Sequence, residues 1–225
     1  MAQLISHPQA QRVRDNLARL REQVEAARAR GGDRAFDREV EILAATKYVP
    51  VDDLPVLAQA GVRLVGENRA QDLQAKVAAH GELFQWDFIG QLQSRRVRAI
   101  VPHVRMIHSL ASDSALRELD RHSESAREGL QVLIEVNLSG EPGKAGVAPE
   151  RIDELIARCA FPVVGLMTMP PLCEQPDASR PWFAALRGLA REHGLQQLSM
   201  GTSQDYLVAV EEGATIVRIG TSLYD

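Results

Sequence analysis

The sequence has few cysteines and no long apolar run. Its two cysteines, Cys159 and Cys173, lie far apart and belong to no CxxC pair or Cys/His ligand spacing, which argues against a disulfide framework or a zinc site and indicates reduced, structural thiols. No stretch approaches the roughly 18 apolar residues of a membrane-spanning helix, and charges interrupt the amino-terminal segment where a signal peptide would have its apolar stretch. We therefore expect a cytoplasmic protein with no membrane contact.

The charge of the chain is nearly balanced. A net charge of -4 with 25% charged residues gives no basic footprint for nucleic acid or for an anionic membrane surface. The six histidines are scattered, and the closest pair, His103 and His108, shares no helical face, so we predict no metal site. A chain of 225 residues that is 45% hydrophobic can bury a sizeable core, and we expect residues 1–225 to form a single domain.

A pattern of strand, loop and helix repeats along the chain after an amino-terminal helix, residues 1–32, that ends at two glycines. The short, aliphatic runs that predict strands lie at 41–47, 64–68, 86–90, 106–110, 132–138, 163–169, 197–201 and 216–220. Eight strands without polar alternation suit a parallel sheet buried on both faces. We predict a (β/α)8 TIM barrel over residues 40–225, in preference to a doubly wound open sheet, because no glycine fingerprint follows the first strand.

The segment after the eighth predicted strand is short. The sequence closes at Tyr224-Asp225, which leaves no room for an eighth helix. The first and eighth strands are neighbours in a closed barrel, so we expect the extra amino-terminal helix to cover the eighth strand.

Polar residues gather at the carboxyl ends of the predicted strands, which form the active face of such barrels. These residues are Lys47 after the first strand, Glu67 and Asn68 at the second, Gln91 and Gln93 after the third, Ser109 in the fourth and Asn137 near the end of the fifth. Their convergence at one rim indicates a functional site rather than a merely solvated edge.

Two glycine-hydroxyl turns follow the last two strands. Gly201-Thr202-Ser203 opens a helix, and Gly220-Thr221-Ser222 gives a second turn beside it. Backbone amides at a helix start bind phosphate, and the loops after strands seven and eight are where barrels usually place that site. Each turn alone is equally compatible with an ordinary helix cap, but their joint placement favours a phosphate ligand.

Lys47 and Arg218 have two interpretations each. Lys47 either marks where the chain leaves the core or carries chemistry, and Arg218, inside the eighth strand, points either into the barrel or toward a helix carboxylate. A lysine across the mouth from a phosphate cradle, with an arginine between, suggests an aldehyde cofactor held as a Schiff base. An apolar site would favour the neutral amine that this chemistry needs.

Together these segments resemble the pyridoxal phosphate homeostasis protein family, single-domain relatives of the alanine racemase barrel. The resemblance runs from about residue 40 to residue 223 through "ATK", "GENRAQD", "WDFIGQLQSRR", "EVNLSGEPGKAGV", "GLMTM", "LSMGTSQD" and "VRIGTSLY". It implies a fold-type III protein that binds pyridoxal 5'-phosphate (PLP). By position, it implies Lys47 as the Schiff-base lysine, Ser203, Gly220 and Thr221 as phosphate contacts, Arg218 at the pyridine nitrogen, and Asn68 and Met200 as pocket lining.

The resemblance also implies a carrier rather than an enzyme. An arginine at the ring nitrogen disfavours its protonation and weakens the ring as an electron sink. The racemase relatives need a second domain and a tyrosine base, and neither has a counterpart here. We expect a monomer without catalytic residues that stores PLP and delivers it to apo-enzymes. A PLP-dependent racemase or lyase, and a cofactor-free Schiff-base aldolase, remain alternatives.

Three positions near this rim need separate mention. Asp87 and Arg96 stand where the family usually has histidine and lysine, which puts in doubt any role of that rim in secondary cofactor capture or partner contact. Lys144, in a glycine-rich loop after the fifth strand, either takes the aldehyde transiently during transfer or is a solvated loop lysine.

Overall fold

The strands of the computed structural model, which describes residues 8–36, 38–141 and 143–224, close into a barrel. In these residues eight parallel strands each pair with the next along the chain, and the last pairs with the first. The strands are β1 (Glu41–Ala45), β2 (Leu64–Glu67), β3 (Gln85–Phe88), β4 (Met106–Leu110), β5 (Gln131–Glu135), β6 (Val163–Met167), β7 (Gln197–Thr202) and β8 (Ile216–Ile219). The predicted (β/α)8 barrel is confirmed.

Several predicted strands run beyond the observed carboxyl ends. β1 ends at Ala45 rather than at residue 47, and β6 ends at Met167 rather than at residue 169. Thr46 and Thr168, the first residues past these ends, are still buried. The pattern of burial therefore continues where the hydrogen-bonded ladder has already stopped, and burial is what a sequence pattern reports.

Helices surround the barrel. They are α1 (Ala10–Gly31), α2 (Leu54–Gln59), α3 (Ala70–His80), α4 (Val97–Ile100), α5 (Asp113–Arg121), α6 (Ile152–Arg158), α7 (Arg180–Glu192), α8 (Tyr206–Glu211) and α9 (Thr221–Tyr224). In α5, the Ser112 hydroxyl caps the first turn by accepting a hydrogen bond from Ala115 N at 3.2 Å. Leu116 and Leu119 then lie on its buried face at a spacing of three residues. None of the helices in the described ranges has the length and apolar character needed to cross a bilayer.

Helix α1 covers the side of the barrel where β8 is followed by only the single turn of α9. Its buried face repeats every three or four residues through Val13, Leu17, Leu20, Val24 and Ala27, and it packs against α8 and α9. Polar contacts fix the same interface: the Asn16 amide donates to Leu223 O at 3.2 Å, and the Tyr206 hydroxyl donates to Gln23 Oε1 at 2.7 Å. The amino-terminal helix therefore packs on the helices before and after β8, and its covering of β8 itself stays a prediction. Residues 1–7 of the predicted segment lie outside the described residues.

The barrel interior is divided into an apolar part and a polar part. Six side chains from six different strands form an apolar cluster inside it: Leu43, Leu64, Met106, Leu133, Met167 and Ile216. Asp87, His108, Ser199 and Arg218 are also buried, and hydrogen bonds join them to one another. The polar groups lead from β3 to β8 and reach the residues at the carboxyl ends of the strands.

Candidate functional site

Lys47 follows β1 at the mouth of the barrel. Its side chain is exposed, and its Nζ lies 4.8 Å from the centroid of the Tyr48 ring. The apolar enclosure expected around this amine is therefore not present. Because β8 pairs with β1, Lys47 lies next to the strand that carries Arg218.

The backbone that carries Lys47 is held from below by buried polar groups. The Lys76 ammonium, on α3, donates to Thr46 O at 2.7 Å and forms an ion pair with Glu67 Oε1 at 2.5 Å. The Thr46 hydroxyl donates to the same carboxylate oxygen at 2.6 Å. Lys76 and Glu67 are at most 4% exposed. The lysine at the mouth thus has a free amine on a backbone fixed from inside.

Sequence reasoning missed Lys76. A lysine within "AQDLQAKVAAH" resembles the solvent-exposed lysines of many helices. Two signals point to it nevertheless: it lies three residues after the fully buried Leu73, on the same face of α3, and Glu67 ends a buried strand where a carboxylate needs a partner. The sequence contains three lysines, Lys47, Lys76 and Lys144.

Asn68 follows β2 and offers an open acceptor. Its Oδ1 is buried and accepts no hydrogen bond from any group in the described residues. Its backbone is fixed by close packing, because a Cβ on Gly90 would lie only 2.0 Å from Asn68 O. Only glycine fits at that position, and the Ser109 hydroxyl donates to Gly90 O from the next strand. The structure presents Asn68 as a fixed, partly buried side chain with one oxygen available for a donor.

The two glycine-hydroxyl turns are joined by a hydrogen bond. Gly220 N donates to Ser203 Oγ at 3.1 Å. Gly201 has φ of 92°, and a Cβ there would lie 2.6 Å from the Ala209 Cβ, so this turn also requires glycine. Asp205 Oδ1 accepts from Thr202 N at 2.8 Å and fixes the following residues.

Thr221 is the first residue of α9. The first N–H groups of a helix have no acceptor within the helix and carry the positive end of its dipole. The structure therefore brings Ser203, Gly220 and Thr221 to one place, as the sequence predicted. Their role as phosphate contacts stays a prediction.

Arg218 points into the barrel, which decides between its two interpretations. Its Nη1 donates to Ser199 O at 2.7 Å and to Ser199 Oγ at 2.6 Å, and its Nη2 donates to Thr168 O at 3.0 Å and to Met169 Sδ at 2.8 Å. A guanidinium has five N–H donors, so Nε–H is the one without an acceptor among the described residues. Burial lowers the Arg218 pKa to about 10, against the opposing charges of Glu135 and Asp205.

Met200 does not face the mouth. Its neighbour Ser199 points inward to Arg218, and successive side chains of a strand point to opposite faces. Met200 is fully buried and belongs to the apolar cluster that joins the barrel to its helices. Its position gives no support to the predicted pocket-lining role.

Asp87 is likewise not a rim residue. It lies within β3, is fully buried, and accepts hydrogen bonds from Arg105 at 2.9 and 3.2 Å. The predicted strand, residues 86–90, included Asp87 and began one residue later than the observed one, but grouping Asp87 with Arg96 near the rim was wrong. Only the later part of "WDFIGQLQSRR", including the partly exposed Arg96, lies beyond the strand end.

Two other polar side chains, Glu135 and Lys144, lie on β5 and on the loop that follows it. Glu135 ends β5, is 5% exposed, and has a pKa raised by burial and lowered in part by the charge of Arg218. Lys144 Nζ lies 3.3 Å from Glu141 Oε2. The loop between them is shaped by Asn137, whose Oδ1 accepts from Gly140 N at 3.1 Å. Lys144 Nζ is itself buried and, although it is close to the Glu141 carboxylate, makes no hydrogen bond with any group in the described residues, so Lys144 is not a solvated loop lysine.

No group of three or more His, Cys, Asp and Glu side chains in the described ranges is arranged to hold a metal ion. Cys159 and Cys173 are both unpaired thiols. The polar groups at the mouth therefore offer one exposed amine, a fixed guanidinium, an amide oxygen and a set of backbone and hydroxyl donors. Such a set suits an anionic ligand with a carbonyl group.

The chain is similar to known proteins over almost its whole length. The family model described as "Alanine racemase, N-terminal domain" matches residues 9–225. A protein of Aquifex aeolicus named pyridoxal phosphate homeostasis protein is 39% identical over 221 residues, which cover 93% of this chain and 96% of that protein.

Solved structures show the same likeness. PipY of Synechococcus elongatus without PLP is 32% identical, with a TM-score of 0.81. The match covers 95% of this chain and 100% of PipY. PipY with PLP bound is 31% identical, with a TM-score of 0.79 and the same coverage. Alanine racemase from Bartonella henselae is 14% identical, with a TM-score of 0.70 over 96% of this chain and 59% of the racemase. This last likeness concerns the fold alone.

Proposed function

Because this chain belongs to the pyridoxal phosphate homeostasis protein family, which has the barrel of the alanine racemase N-terminal domain, we propose that it holds PLP on Lys47 and releases it to apo-enzymes. The observation that carries the proposal is the free amine of Lys47 on a backbone fixed by Lys76 and Glu67, beside the strand of Arg218. PLP supplies an aldehyde that a lysine amine takes as a Schiff base.

The residues at the mouth fit this cofactor. The Asn68 Oδ1 lacks a donor, and the phenolic hydroxyl of PLP is one. The Nε–H of Arg218 lacks an acceptor among the described residues, and a pyridine nitrogen is one. Ser203 supplies a hydroxyl and Thr221 a helix-start amide of the kind that binds phosphate, while the Gly220 amide donates to Ser203 Oγ and joins the two turns. Of the seven predicted cofactor contacts, Met200 has no such group to offer, and the Gly220 amide is already hydrogen-bonded.

Lys47 is the best of the three lysines for holding an aldehyde. The Lys76 ammonium is buried and bonded to Glu67 and Thr46, and the Lys144 ammonium is paired with Glu141. The Lys47 amine makes only the contact with the Tyr48 ring in the described structure. Lys144 Nζ also lacks a hydrogen-bonding partner, but it is buried, whereas Lys47 is exposed at the mouth, where an aldehyde can reach it.

The site favours storage over turnover. Arg218 keeps a positive charge where the ring nitrogen is expected, which disfavours protonation of that nitrogen and so weakens carbanion chemistry. Two of the three tyrosines are engaged elsewhere: the Tyr206 hydroxyl donates to Gln23, and the Tyr224 hydroxyl donates to Ala45 O at 3.2 Å. We further propose that the protein acts as a monomer in the cytoplasm and needs no catalytic residue.

One contact favours a second candidate function, a PLP-dependent racemase or lyase. The Tyr48 ring lies beside the Lys47 amine, where a phenol could act as a base. Incubation with either enantiomer of alanine, serine or threonine tests this candidate. Racemisation or loss of the substrate that Lys47→Ala abolishes would replace the carrier proposal with the enzyme.

The direct test is an absorption spectrum of the PLP-loaded protein before and after borohydride, with mass analysis of its three lysine-containing peptides. We expect a visible band that reduction abolishes and a pyridoxyl-phosphate mass on the Lys47 peptide. Lys47→Ala should remove both, and Lys144→Ala is the matched control that should keep both. A colourless protein after incubation with PLP would contradict the proposal and favour a cofactor-free aldolase.

Delivery needs its own measurement. A PLP-dependent apo-enzyme, whose activity reports arrival of the cofactor, is mixed in one sample with the loaded protein and in another with an equal amount of free PLP. Each mixture is measured with and without a scavenger of free aldehyde. Reactivation by the loaded protein in the presence of the scavenger supports handover. Reactivation that the scavenger abolishes would mean that PLP is only released to solution.

A further inference from the structure

A continuous row of hydrogen-bonded side chains runs through the barrel interior to Arg218. It begins at Glu41, whose two carboxylate oxygens each accept from Arg105 at 2.7 Å. Arg105 also donates to both oxygens of Asp87, at 2.9 and 3.2 Å. Arg105 thus joins β1 to β3 at the end of the barrel opposite the mouth.

The row continues through His108 and Ser199. His108 Nε2 lies 3.1 Å from Asp87 Oδ2, and His108 Nδ1 lies 2.8 Å from Ser199 Oγ. Ser199 Oγ accepts from Arg218 Nη1 at 2.6 Å. Asp87, His108 and Ser199 are fully buried, so water does not replace any of these hydrogen-bonding partners.

The groups at the two ends of this part of the row, the Asp87 carboxylate and the Arg218 guanidinium, determine which atom is the donor in each hydrogen bond between them. An ionised carboxylate only accepts, so Asp87 requires the proton of His108 on Nε2. In the neutral ring Nδ1 is then an acceptor, and it takes the hydroxyl proton of Ser199. The Ser199 oxygen is left to accept from Arg218. The contacts from Asp87 through His108 and Ser199 to Arg218 Nη1 therefore each join a donor to an acceptor, and this holds only for one tautomer of His108.

The charges around His108 agree with a neutral ring. Burial lowers its pKa, the Asp87 carboxylate opposes this, and the charges of Arg218 and Arg105 add to the lowering. The other ionisable side chains whose charges act on the Arg218 guanidinium are Glu135 on β5 and Asp205, just before α8. A second proton on His108 would make Nδ1 a donor and set a cation one hydroxyl away from Arg218.

We propose that His108 is a positioning residue for the cofactor: in the tautomer set by Asp87 it turns the Ser199 hydroxyl so that Arg218 is held by Nη1 and keeps Nε–H for the ring nitrogen. This inference rests on the proposed PLP function for its last step. The arrangement of His108 itself does not, because it exists in the protein without ligand.

The first test therefore needs no PLP. In full-length protein with 15N-labelled histidine, the ring-nitrogen shifts of His108, identified by their loss in His108→Gln, report which nitrogen carries the proton. We expect a neutral ring with the proton on Nε2. In Asp87→Asn the amide can accept from Arg105 and donate to Nε2, so the proton should move to Nδ1. A charged ring, or the same tautomer in both proteins, would overturn the inference whatever the protein binds.

The second test reads the effect at the cofactor. For wild type, Asp87→Asn and His108→Gln, the absorption spectrum of bound PLP is recorded against pH, together with the rate of PLP release. We expect a changed pH profile in both variants and release faster by about tenfold, the effect of losing one hydrogen bond. Met106→Leu is the control, because Met106 lies buried on β4, the strand of His108, and belongs to the apolar cluster rather than to the hydrogen-bonded row.

The outcomes separate the two proposals. Variants that keep the wild-type spectrum, pH profile and release rate would show that His108 is only a packing residue. A change of the same size in Met106→Leu would show that the spectrum reports general loosening of the barrel. Wild-type protein that binds no PLP would contradict the proposed function, and the tautomer measurement would still decide the position of the proton.

Discussion

Lys47, just after β1, and Arg218, in the neighbouring strand β8, are held in opposite ways. Lys47 is fixed at its backbone by the buried groups of Lys76, Glu67 and Thr46, while its amine is exposed. Arg218 is buried, and both of its Nη atoms make two hydrogen bonds. A group that has to react needs a rigid base and a free end, whereas a group that has to orient a ligand needs a rigid end.

The largest loss of stability should come from removing the buried ion pair that fixes the backbone before Lys47. Glu67→Ala leaves the Lys76 ammonium buried without its carboxylate, and we expect the free energy of unfolding in urea to fall by about 3–5 kcal/mol. Lys47 itself is untouched, so any remaining folded protein should still form the Schiff base, with a less ordered geometry.

A double variant sharpens that result. Glu67→Leu with Lys76→Met replaces both buried charges by apolar groups, and we expect most of the lost stability to return. If Glu67→Ala alone cost less than about 1 kcal/mol, the buried pair would not be what fixes the backbone before Lys47.

A smaller loss is expected at Arg218. Arg218→Met removes the hydrogen bonds to Ser199 O, Ser199 Oγ and Thr168 O in the barrel interior, so the free energy of unfolding should fall by about 2–4 kcal/mol. Arg218→Lys keeps a charge without the fork of donors and should fall in between. Equal stability of wild type and Arg218→Met would mean that the guanidinium is not held as the structure shows.

Acidification should lower the free energy of unfolding through one group next to the Arg218 site, His108. The pKa of His108 is lowered in the fold from its ordinary 6.5, so below pH 6.5 the unfolded chain binds a proton that the fold resists. Stability is therefore lost as pH falls from 6.5 toward the folded pKa, by up to about 1.4 kcal/mol per pH unit.

This pH effect is measured as a difference between two proteins. Glu135, with its raised pKa, acts in the opposite sense at lower pH, because its fold accepts a proton more readily than the unfolded chain. Comparing urea unfolding of wild type and His108→Gln at pH 7.5 and 5.5 cancels that contribution. We expect the stability difference between the two proteins to narrow at pH 5.5, and a constant difference would contradict a neutral His108.

The smallest effect on stability is expected at Lys47. Its exposed side chain contributes little packing, so Lys47→Ala should change the free energy of unfolding by less than about 0.5 kcal/mol while abolishing the imine band. A large loss of stability in Lys47→Ala would remove the contrast between the two cations.

The sequence alone predicts the barrel and much of the mouth. The aliphatic runs locate all eight strands, and the two glycine-hydroxyl turns locate the place where Gly220 meets Ser203. These features depend on local pattern and on the known geometry of a closed barrel. The packing of α1 near the end of the chain, against α8 and α9, fits the expectation drawn from the same geometry.

The sequence does not predict which face a strand residue takes when a strand is buried on both sides. Ser199 and Met200 are both buried, so burial could not tell that Ser199 faces Arg218 and Met200 faces the helices. Lys76 was missed for a related reason, because its partners Glu67 and Thr46 come from another part of the chain. The spacing from Leu73 and the buried strand end at Glu67 point to a buried lysine, but the pairing of Lys76 with both partners is seen only in the folded barrel.

The distribution of amines has a consequence for chemical selectivity. Of the 26 lysine and arginine residues only three are lysines, and a guanidinium, always protonated, is no partner for an aldehyde. Lys76 is sealed in the core and Lys144 is engaged by Glu141. For the proposed carrier of a reactive carbonyl, this distribution leaves few side chains on the protein that its own ligand could modify, and we expect one aldehyde per molecule.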